Sequence, residues 1–271
     1  MEKSDKNIFI TGRAGTGKST LLDYFRSITK KKIIVLAPTG VAAVNVEGQT
    51  IHSFFRFKPD VTVEQIRKGA QKQTKKEKIY KNLDALVIDE ISMVRADLLD
   101  CVDEFLRLHG KVPKAPFGGI QMILIGDLYQ LPPVVVGKER QIFRNHYKSE
   151  YFFDARVFEN VEMEYLELEK IYRQTDETFI HLLNGIRNRT ISDEEIEQVN
   201  SRYFDDENDL SRRTSGLPDD VIYLTTTNKM ADERNESKLN AIKGRLFTFE
   251  GEIKGEFDEK YFPTEKLLKL K

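Results

Sequence analysis

The 271-residue sequence contains a single cysteine, Cys101, and it lacks any long hydrophobic run. One cysteine excludes an internal disulfide and a cysteine-based zinc site, and it favours a reducing, intracellular environment. The longest apolar runs, Ile33–Ala37 and Met122–Ile125, are far too short to span a bilayer. The N-terminal residues contain no apolar stretch of the kind that a signal peptide requires. We therefore expect a soluble protein that does not cross a membrane.

The sequence also has no excess of charge of one sign. Its 43 lysine and arginine residues are balanced by 44 aspartate and glutamate residues, which gives a formal net charge of −1. Any nucleic-acid site must therefore be a local patch, because the bulk charge supplies no attraction. One basic run permits two interpretations: a solvated helical face, which we favour, or an electrostatic contribution to DNA binding. It comprises Arg67, Lys68, Lys72, Lys75, Lys76, Lys78 and Lys81.

A glycine-rich segment carries the most specific signal. Residues Gly12–Ser19 read GRAGTGKS and match the phosphate-loop pattern G-x-x-x-x-G-K-[ST] at every fixed position. The apolar run Ile8–Ile10 precedes the segment and the amphipathic stretch Leu21–Ile28 follows it, which predicts strand, turn and helix in that order. Such a loop surrounds nucleotide phosphates with backbone N–H groups, so the motif predicts binding of ATP or GTP. We expect Lys18 to reach the β- and γ-phosphates and the Ser19 hydroxyl to bind Mg²⁺.

Two acidic residues end another predicted strand. Leu86–Ile88 are apolar, and Asp89 and Glu90 follow them directly. A nucleotide hydrolase needs a carboxylate that holds the metal, usually through a water, and we expect Asp89 to have this role. Glu90 is placed to accept a proton from the attacking water. Alone, the two acids would fit a solvated turn equally well, but the phosphate loop favours the catalytic interpretation.

Two further polar residues follow predicted strands. Gln130 comes shortly after Met122–Ile125, where a polar group of a parallel sheet faces the nucleotide crevice, so it could bind the γ-phosphate or position a water. Arg173 follows another predicted strand and is a candidate arginine finger, which would stabilise the charge on the transferring phosphoryl group. The alternative for each is an ordinary residue that faces solvent.

Two segments near predicted helix starts are candidates for nucleic-acid contacts. Ala37–Ala43 leaves the second predicted strand and enters a helix, and Thr50–Phe55 comes soon after it. Hydroxyl and backbone N–H groups at a helix start suit a nucleic-acid phosphate. Phe54 or Phe55 could stack on a base, although packing in the core is the alternative for at least one of them. No cysteine or further histidine lies near His52 in the sequence, so a metal-binding role for it is not indicated.

The alternation of short apolar runs and helix-like stretches predicts an α/β fold with a mostly parallel sheet. Several runs are apolar on both faces, which is typical of buried parallel strands. We expect a first domain at 1–204, a linker at 205–220 and the start of a second α/β unit at 221–271, with a helix beginning near Asn228. The strand candidates are Asn7–Thr11, Lys32–Ala37, Ala85–Asp89, Gln121–Gly126, Tyr165–Leu168 and Val221–Thr225.

Five segments together resemble successive motifs of the PIF-type (petite integration frequency) DNA helicases, a superfamily-one group that also includes RecD and Dda. The segments are GRAGTGKST, APTGVAAVNVEGQTIHSFF, LVIDEISMV, GGIQMILIGDLYQLPPV and LEKIYRQ. The resemblance extends from about residue 6 to the end of the sequence, and the combination TIHSFF, DEISMV and GDLYQLPPV is far more specific than the phosphate loop alone. Ser92–Arg107 resembles the helical signature of the family, and Leu224–Asn228 resembles the opening of its second RecA-like domain.

The resemblance implies a RecA-like P-loop NTPase fold and a 5′-to-3′ translocase on single-stranded DNA that uses ATP and Mg²⁺. It further implies action as a monomer at duplex junctions in DNA repair, recombination or telomere maintenance, and, in a bacterium, a location in the cytoplasm or at the nucleoid. The implied phosphate-binding residues are Gly12, Ala14, Gly15, Thr16, Gly17, Lys18, Ser19 and Thr20, with the metal held by Ser19 and Asp89. The implied catalytic residues are Lys18, Asp89, Glu90, Gln130 and Arg173, and the implied DNA contacts are Thr39, Gly40, His52, Ser53 and Phe54.

The sequence departs from the family pattern in two respects. Members usually have a glutamine-bearing helix before the first strand that reads the adenine, and only six residues precede Asn7 here. Members also continue beyond the region that Phe247–Lys271 resembles, and this later part carries most of the second RecA-like domain. We therefore expect a fragment that binds ATP, turns it over very slowly and unwinds no DNA. An ATP-dependent module that binds single-stranded DNA is the alternative function, whereas the lid and acceptor pocket of a nucleotide kinase are not indicated.

Overall fold

The structure is a computed structural model that describes residues 1–69, 77–135, 143, 145–203, 222–252 and 267–271. The chain divides into a first unit, Met1–Ser192, and a second unit, Asp193–Lys271, which we describe separately. This division comes earlier in the chain than the predicted end of the first domain at residue 204. The predicted linker at 205–220 lies outside the described residues, so the domain limits taken from the sequence stay a prediction.

A sheet of parallel strands forms the centre of the first unit. The strands lie in the order β3-β2-β4-β5-β1-β6, and every neighbouring pair is parallel. The mostly parallel α/β sheet predicted from the sequence is therefore confirmed. The strands are β1 (Asn7–Gly12), β2 (Ile33–Ala37), β3 (Gln49–Thr50), β4 (Ala85–Ile88), β5 (Gln121–Ile125) and β6 (Met163–Leu168).

Helices follow most of these strands, as parallel connections require. In the first unit they are α1 (Lys18–Ile28), α2 (Gly40–Asn45), α3 (Ile51–Phe55), α4 (Val63–Gly69), α5 (Glu77–Asn82), α6 (Ala96–His109) and α7 (Glu177–Asn188). In the described parts of the chain, no helix is long and apolar enough to cross a membrane.

The central strands are buried on both faces, and alternate residues belong to different clusters. In β5, Met122 and Leu124 pack into one hydrophobic cluster, whereas Ile123 and Ile125 pack into the other. The first cluster includes residues of α6, and the second includes Leu22 and Phe25 of α1. Burial on both faces explains why these strands read as continuous apolar runs in the sequence.

Five of the six predicted strands form, with ends that differ by at most two residues from those predicted. The prediction of a strand at Val221–Thr225 is wrong for the residues described, since 222–225 adopt no regular secondary structure. The side chains of Ile222 and Leu224 are 85% and 95% exposed, and no strand in the described ranges pairs with this segment. An apolar run forms a strand only where a neighbouring strand satisfies its backbone hydrogen bonds.

The second unit contains α8 (Asp193–Asn200), α9 (Asn228–Ala241) and an antiparallel pair, β7 (Phe247–Glu250) and β8 (Leu267–Leu270). Helix α9 starts at the residue predicted from the sequence. The hydroxyl of Thr227 caps it by accepting a hydrogen bond from the amide of Met230.

Candidate functional site

The phosphate-loop segment forms the predicted strand, turn and helix. β1 ends at Gly12 and α1 begins at Lys18. Gly15 and Gly17 have φ angles of 81° and 89°, a left-handed conformation that glycine adopts without strain. A Cβ atom on Gly15 would lie 2.5 Å from the Cβ of Arg173, so this glycine also allows a close approach between two segments.

The ammonium group of Lys18 is bound within the loop. Its Nζ donates hydrogen bonds to the carbonyl oxygens of Gly12 at 2.7 Å and Arg13 at 3.1 Å. Burial lowers the pKa of Lys18, although the charges of three nearby carboxylates act in the opposite direction. Those carboxylates belong to Asp127, Glu90 and Asp89. The carboxylates of three different motif residues are thus close enough to the phosphate-loop lysine to influence its protonation.

The other predicted phosphate-binding residues differ in exposure. The Thr16 side chain is buried, and its hydroxyl donates a 2.9 Å hydrogen bond to the carbonyl oxygen of Arg13, which fixes the shape of the loop. Ala14, Ser19 and Thr20 are exposed. The Ser19 hydroxyl is therefore accessible on the first turn of α1, as a metal ligand at this position must be.

Asp89 and Glu90 follow the buried strand β4 directly. The amide of Asp89 donates to the carbonyl of Leu36 at 2.9 Å, which continues the pairing of β4 with β2 and fixes this residue. Burial raises the pKa of the Asp89 carboxyl. Burial, followed by the charges of Asp89 and Asp127, raises the pKa of Glu90. A carboxylate with a raised pKa is a better proton acceptor than an ordinary glutamate.

Glu90 has an unusual backbone conformation. Its φ angle is 50°, in the left-handed region, and it precedes a 3-10 turn at Ile91–Met93. A non-glycine residue in this region costs about 1–2 kcal/mol. Such strain occurs preferentially at functional sites, where it points a side chain in a required direction.

Gln130 lies in the loop after β5, where the sequence predicted it. Its backbone amide donates to the carbonyl oxygen of Asp127 at 2.9 Å, and its side-chain Nε2 donates to the Oδ2 of Asp127 at 3.3 Å. Gln130 is exposed, whereas Asp127 is only 1% exposed. The buried aspartate therefore holds the glutamine at the surface of the site.

Sequence reasoning gave no role to Asp127 or to its partner, Arg187. The guanidinium of Arg187 donates two hydrogen bonds of 2.7 Å, one to each carboxylate oxygen of Asp127. Burial raises the pKa of Asp127, but the hydrogen bonds and the charge of Arg187 outweigh this effect, so its pKa falls below the ordinary value. No spacing rule connects residues so far apart in the chain. A carboxylate directly after a buried strand was the only signal available.

Arg173 lies beside the phosphate loop. The amide of Tyr172 donates a 2.8 Å hydrogen bond to the carbonyl oxygen of Gly15, which fixes this segment against the loop. The Arg173 side chain is exposed. The segment after β6 is thus placed next to the residues expected to surround the phosphates.

The candidate DNA-binding residues lie beyond the carboxyl ends of β2 and β3. These strands pair through Ala37 and Thr50, so the segments that follow leave the sheet side by side. Thr39, Gly40 and Ser53 are exposed. The hydroxyl of Thr39 accepts a hydrogen bond from the amide of Ala42, and that of Thr50 accepts one from the amide of Ser53.

His52 is half-buried beside the start of the α6 region. Burial lowers the pKa of its imidazole, and the nearby positive charge of Arg95 acts in the same direction. The neutral form of His52 is therefore favoured, and a neutral imidazole can donate one hydrogen bond and accept another.

The prediction that Phe54 contacts DNA is wrong. Phe54 is 1% exposed and packs edge-on against Phe55 at 4.9 Å and Tyr80 at 5.5 Å between ring centroids. The Tyr80 hydroxyl also donates to its carbonyl oxygen. A ring enclosed on all sides cannot stack on a base, and Phe55, at 3% exposure, is equally buried.

The basic run is only partly described. Residues 70–76, which include Lys72, Lys75 and Lys76, lie outside the described residues. Arg67 donates to both carboxylate oxygens of Glu104, at 2.9 and 3.0 Å. The side chain of Arg67 is therefore held in an ion pair at the surface of the first unit.

The loops after β1, β4, β5 and β6 leave the sheet at the same edge, because these strands are parallel. This edge carries the phosphate loop, the acidic pair, Gln130 and Arg173. It combines backbone donors, a lysine, and hydroxyl and carboxylate oxygens, which are the kinds of group that hydrolysis of a nucleotide phosphate uses.

Comparison with known proteins identifies a family and similar proteins that match most of this chain. A model of the PIF1-like helicase family matches residues 1–197. The ATP-dependent DNA helicase PIF1 of Saccharomyces cerevisiae is 35% identical over 262 residues, which cover 92% of this chain and 28% of the relative.

Solved structures are similar over almost the whole chain. A Pif1 helicase from Bacteroides, in complex with ADP-AlF3 and single-stranded DNA, is 35% identical with a TM-score of 0.77, over 99% of this chain and 61% of that one. A structure on DNA unwinding at forked double-stranded DNA by two coordinating Pif1 helicases is also 35% identical, with a TM-score of 0.80, over 99% of this chain and 62% of that one. The chain thus spans less than two thirds of the length of these relatives. Its mostly parallel sheet has the RecA-like helicase fold, and the chain belongs to the PIF1-like helicase family.

Proposed function

We propose that the chain binds and hydrolyses ATP in a 5′-to-3′ DNA helicase or translocase that acts on single-stranded DNA. The observation that carries this proposal is the position of three segments at adjacent carboxyl ends of the parallel strands β4, β5 and β1. These segments carry Asp89 and Glu90, Asp127, and the phosphate loop with Lys18, respectively. Hydrolysis requires a proton acceptor beside the phosphates, and Glu90 has the chemistry and the raised pKa for it.

The phosphate loop would bind the triphosphate through its backbone amides and through Lys18. Lys18 now donates to carbonyl oxygens of the loop itself, and a bound phosphate would compete for these hydrogen bonds. Its ammonium is thus already within reach of the turn that would surround the phosphates. The residues that would surround the phosphates are Gly12, Ala14, Gly15, Thr16, Gly17, Lys18, Ser19 and Thr20.

Ser19 and Asp89 fit Mg²⁺ by their chemistry. A hydroxyl and a carboxylate are the hard oxygen donors that this ion prefers, and it usually completes its coordination with waters and substrate phosphates. When bound, Mg²⁺ would neutralise part of the phosphate charge. Glu90, one residue beyond Asp89, would then accept the proton of the attacking water.

Gln130 and Arg173 would act on the terminal phosphate. Gln130 is exposed beyond the carboxyl end of β5, and its side-chain amide can donate a hydrogen bond to a phosphate oxygen. Arg173 is exposed beside Gly15, where its guanidinium can neutralise charge that develops during transfer. The solved relative in complex with ADP-AlF3 supports the proposal that this chain binds a nucleotide.

Single-stranded DNA would contact the segments after β2 and β3. Thr39, Gly40, His52 and Ser53 offer hydroxyl, imidazole and backbone groups that suit phosphates and sugars. Phe54 does not contribute, because it belongs to the core. The relatives whose structures include single-stranded or forked DNA support a DNA partner, and we propose that duplex junctions are bound as well. We also propose that the chain acts as a monomer inside the cell.

The test compares the parent chain with Glu90→Gln. ATP hydrolysis is measured with and without an oligo-deoxythymidine, and nucleotide binding is measured separately. We expect slow hydrolysis that single-stranded DNA stimulates in the parent and that is lost in Glu90→Gln, while nucleotide binding is retained. Glu159→Gln, a change of an exposed acid on a 3-10 turn away from the phosphate loop, serves as the matched control and should leave hydrolysis unchanged.

A second candidate function is an ATP-dependent module that binds single-stranded DNA without unwinding it. The exposed Thr39, Gly40 and Ser53 favour it as a partial function, because these contacts do not require turnover. If hydrolysis is equally absent from the parent and Glu90→Gln while ATP changes the affinity for DNA, the binding module is the correct function. If neither nucleotide nor DNA is bound, both proposals are wrong.

A further inference from the structure

One ion pair beside the nucleotide site has no role in the function proposed above. Arg187, in the last turn of α7, makes two parallel hydrogen bonds of 2.7 Å to the carboxylate of Asp127. The side chains are 18% and 1% exposed, so this is a largely desolvated pair. Bidentate pairs of this type have a fixed geometry as well as a favourable energy.

Asp127 connects this pair to the catalytic residues. It follows β5, which lies between β4 and β1 in the sheet, so Asp127 leaves the sheet between Glu90 and the phosphate loop. The amide of the preceding Gly126 donates a 3.1 Å hydrogen bond to the carbonyl oxygen of Ile10, which places Asp127 beside the start of the phosphate loop. An uncompensated negative charge here would repel a triphosphate. The guanidinium of Arg187 lies 2.7 Å from both carboxylate oxygens of Asp127, so the positive and negative charges largely cancel.

Asp127 also holds Gln130. Its Oδ2 accepts hydrogen bonds from the Nε2 of Gln130 at 3.3 Å and from Arg187 at 2.7 Å, so both donors share one oxygen atom. Its Oδ1 accepts from the amide of Tyr129 at 3.1 Å and from Arg187 at 2.7 Å. The same carboxylate therefore fixes the loop backbone and the side chain that is expected to sense the γ-phosphate.

Arg187 makes one more contact with the same loop. Its guanidinium carbon lies 4.0 Å from the centroid of the Tyr129 ring, which is a cation–π contact. Two carboxylate oxygens and an aromatic ring thus restrict the position of the guanidinium. A lysine could supply the charge, but not the two parallel hydrogen bonds.

We propose that Arg187 is a positioning residue for the terminal phosphate of ATP. Its ion pair with Asp127 holds the loop at 127–130 so that the Gln130 amide faces the γ-phosphate, and it keeps the Asp127 charge from opposing the nucleotide. This role rests on the proposed nucleotide-binding function.

The test measures how well the 271-residue chain distinguishes ATPγS from ADP. Equilibrium affinities for both nucleotides with Mg²⁺ are determined by calorimetry for the parent, Arg187→Met, Arg187→Lys and Gln130→Ala. Arg189→Met, two residues further on and exposed, is the matched control. Thermal melting of each variant shows whether it is folded under the conditions used.

We expect the ATPγS-to-ADP affinity ratio to fall about tenfold in Arg187→Met, which corresponds to the loss of one good charge-assisted interaction. Arg187→Lys should lie between this variant and the parent, and Arg189→Met should match the parent. Since Arg187 acts in part through Gln130, the ratio in the double variant Arg187→Met/Gln130→Ala should fall by less than the product of the two single falls.

The outcomes separate this proposal from the function on which it rests. A parent chain that binds neither nucleotide overturns both. A parent that prefers ATPγS, with the preference unchanged in folded Arg187→Met and Arg187→Lys, overturns only the positioning role. The positioning role is also overturned if the affinities for ATPγS and ADP fall equally in Arg187→Met, because that result indicates a purely structural contact. It is likewise overturned if the effects of Arg187→Met and Gln130→Ala on the affinity ratio are additive in free energy.

Discussion

The amide nitrogen of Tyr172 lies 2.8 Å from the carbonyl oxygen of Gly15 and donates a hydrogen bond to it. This contact joins the segment that carries Arg173 to the phosphate loop, although the two are far apart in the sequence. The backbones can approach so closely because Gly15 has no side chain. The hydrogen bond is therefore a structural basis for placing an arginine beside the phosphates.

Gly15→Ala should destabilise the chain more than Gly17→Ala. Both glycines have left-handed backbones, so an alanine at either position costs about 1–2 kcal/mol. Only at Gly15 does the new methyl group collide with Arg173, because no heavy atom lies within 4 Å of a Cβ on Gly17. The extra loss, about 0.5–1.5 kcal/mol for the broken Tyr172 hydrogen bond, is measured by chemical denaturation. Equal losses for the two variants would show that the contact with Arg173 does not hold the loop.

Phe54→Ala should unfold the first unit more readily and should not act selectively on DNA binding. Truncation of a buried phenylalanine removes its packing and leaves a cavity, at a cost of about 3–5 kcal/mol. Ser53→Ala, at the exposed neighbouring position, should change the free energy of unfolding by less than about 0.5 kcal/mol. Denaturant titration of both variants checks this. A stable Phe54→Ala variant with weakened DNA binding would restore the stacking role that the sequence suggested.

His52 should make stability depend on pH below about neutrality. Burial and the charge of Arg95 lower its pKa in the folded chain below the ordinary value of 6.5. As the pH falls below 6.5, His52 binds a proton in the unfolded chain but not yet in the folded chain. The stability contributed by the neutral imidazole is therefore complete above that pH and is lost as the pH falls towards the folded pKa.

His52→Gln should flatten this part of the stability profile, which denaturation at a series of pH values measures. His181→Gln, on the exposed face of α7, is the control. A histidine NMR titration that placed the pKa of His52 at or above 6.5 would contradict the account.

Cys101 should be inert in the folded protein. Its thiol is 1% exposed, and burial, followed by the charges of Asp97 and Asp100, raises its pKa to about 12. Because the thiolate is the reactive form, a disulfide reagent at pH 8 should label it only after denaturant is added. Rapid, complete labelling of the native chain would show that α6 is not packed as described.

The parts of the site that were predictable from the sequence are those in which neighbouring residues act together. The phosphate loop and the acidic pair each lie in one continuous segment between recognisable strands, so their placement followed from local pattern. The parallel sheet was predictable for the same reason, since strands buried on both faces leave a continuous apolar signature.

Residues that depend on distant partners were not predictable. Phe54 follows two polar residues, the half-buried His52 and the exposed Ser53, and its burial depends on partners such as Tyr80 from another helix. The pairing of Arg187 with Asp127 likewise joins α7 to the loop after β5, and no local pattern contains it. The strand predicted at Val221–Thr225 does not form over the described residues 222–225, because a short apolar run does not specify the partner strand that it needs.

The central claim is that this chain holds the triphosphate of ATP in its phosphate loop. Calorimetric titration with Mg²⁺-ATP tests it most directly when the parent is compared with Lys18→Ala and with Lys30→Ala, a lysine that is exposed beyond the end of α1. We predict that the parent and Lys30→Ala bind with equal affinity and that Lys18→Ala binds at least about tenfold more weakly, because a charge-assisted contact with the β- and γ-phosphates is lost. Equal binding by the folded parent and Lys18→Ala, or no binding by the parent, would contradict the account.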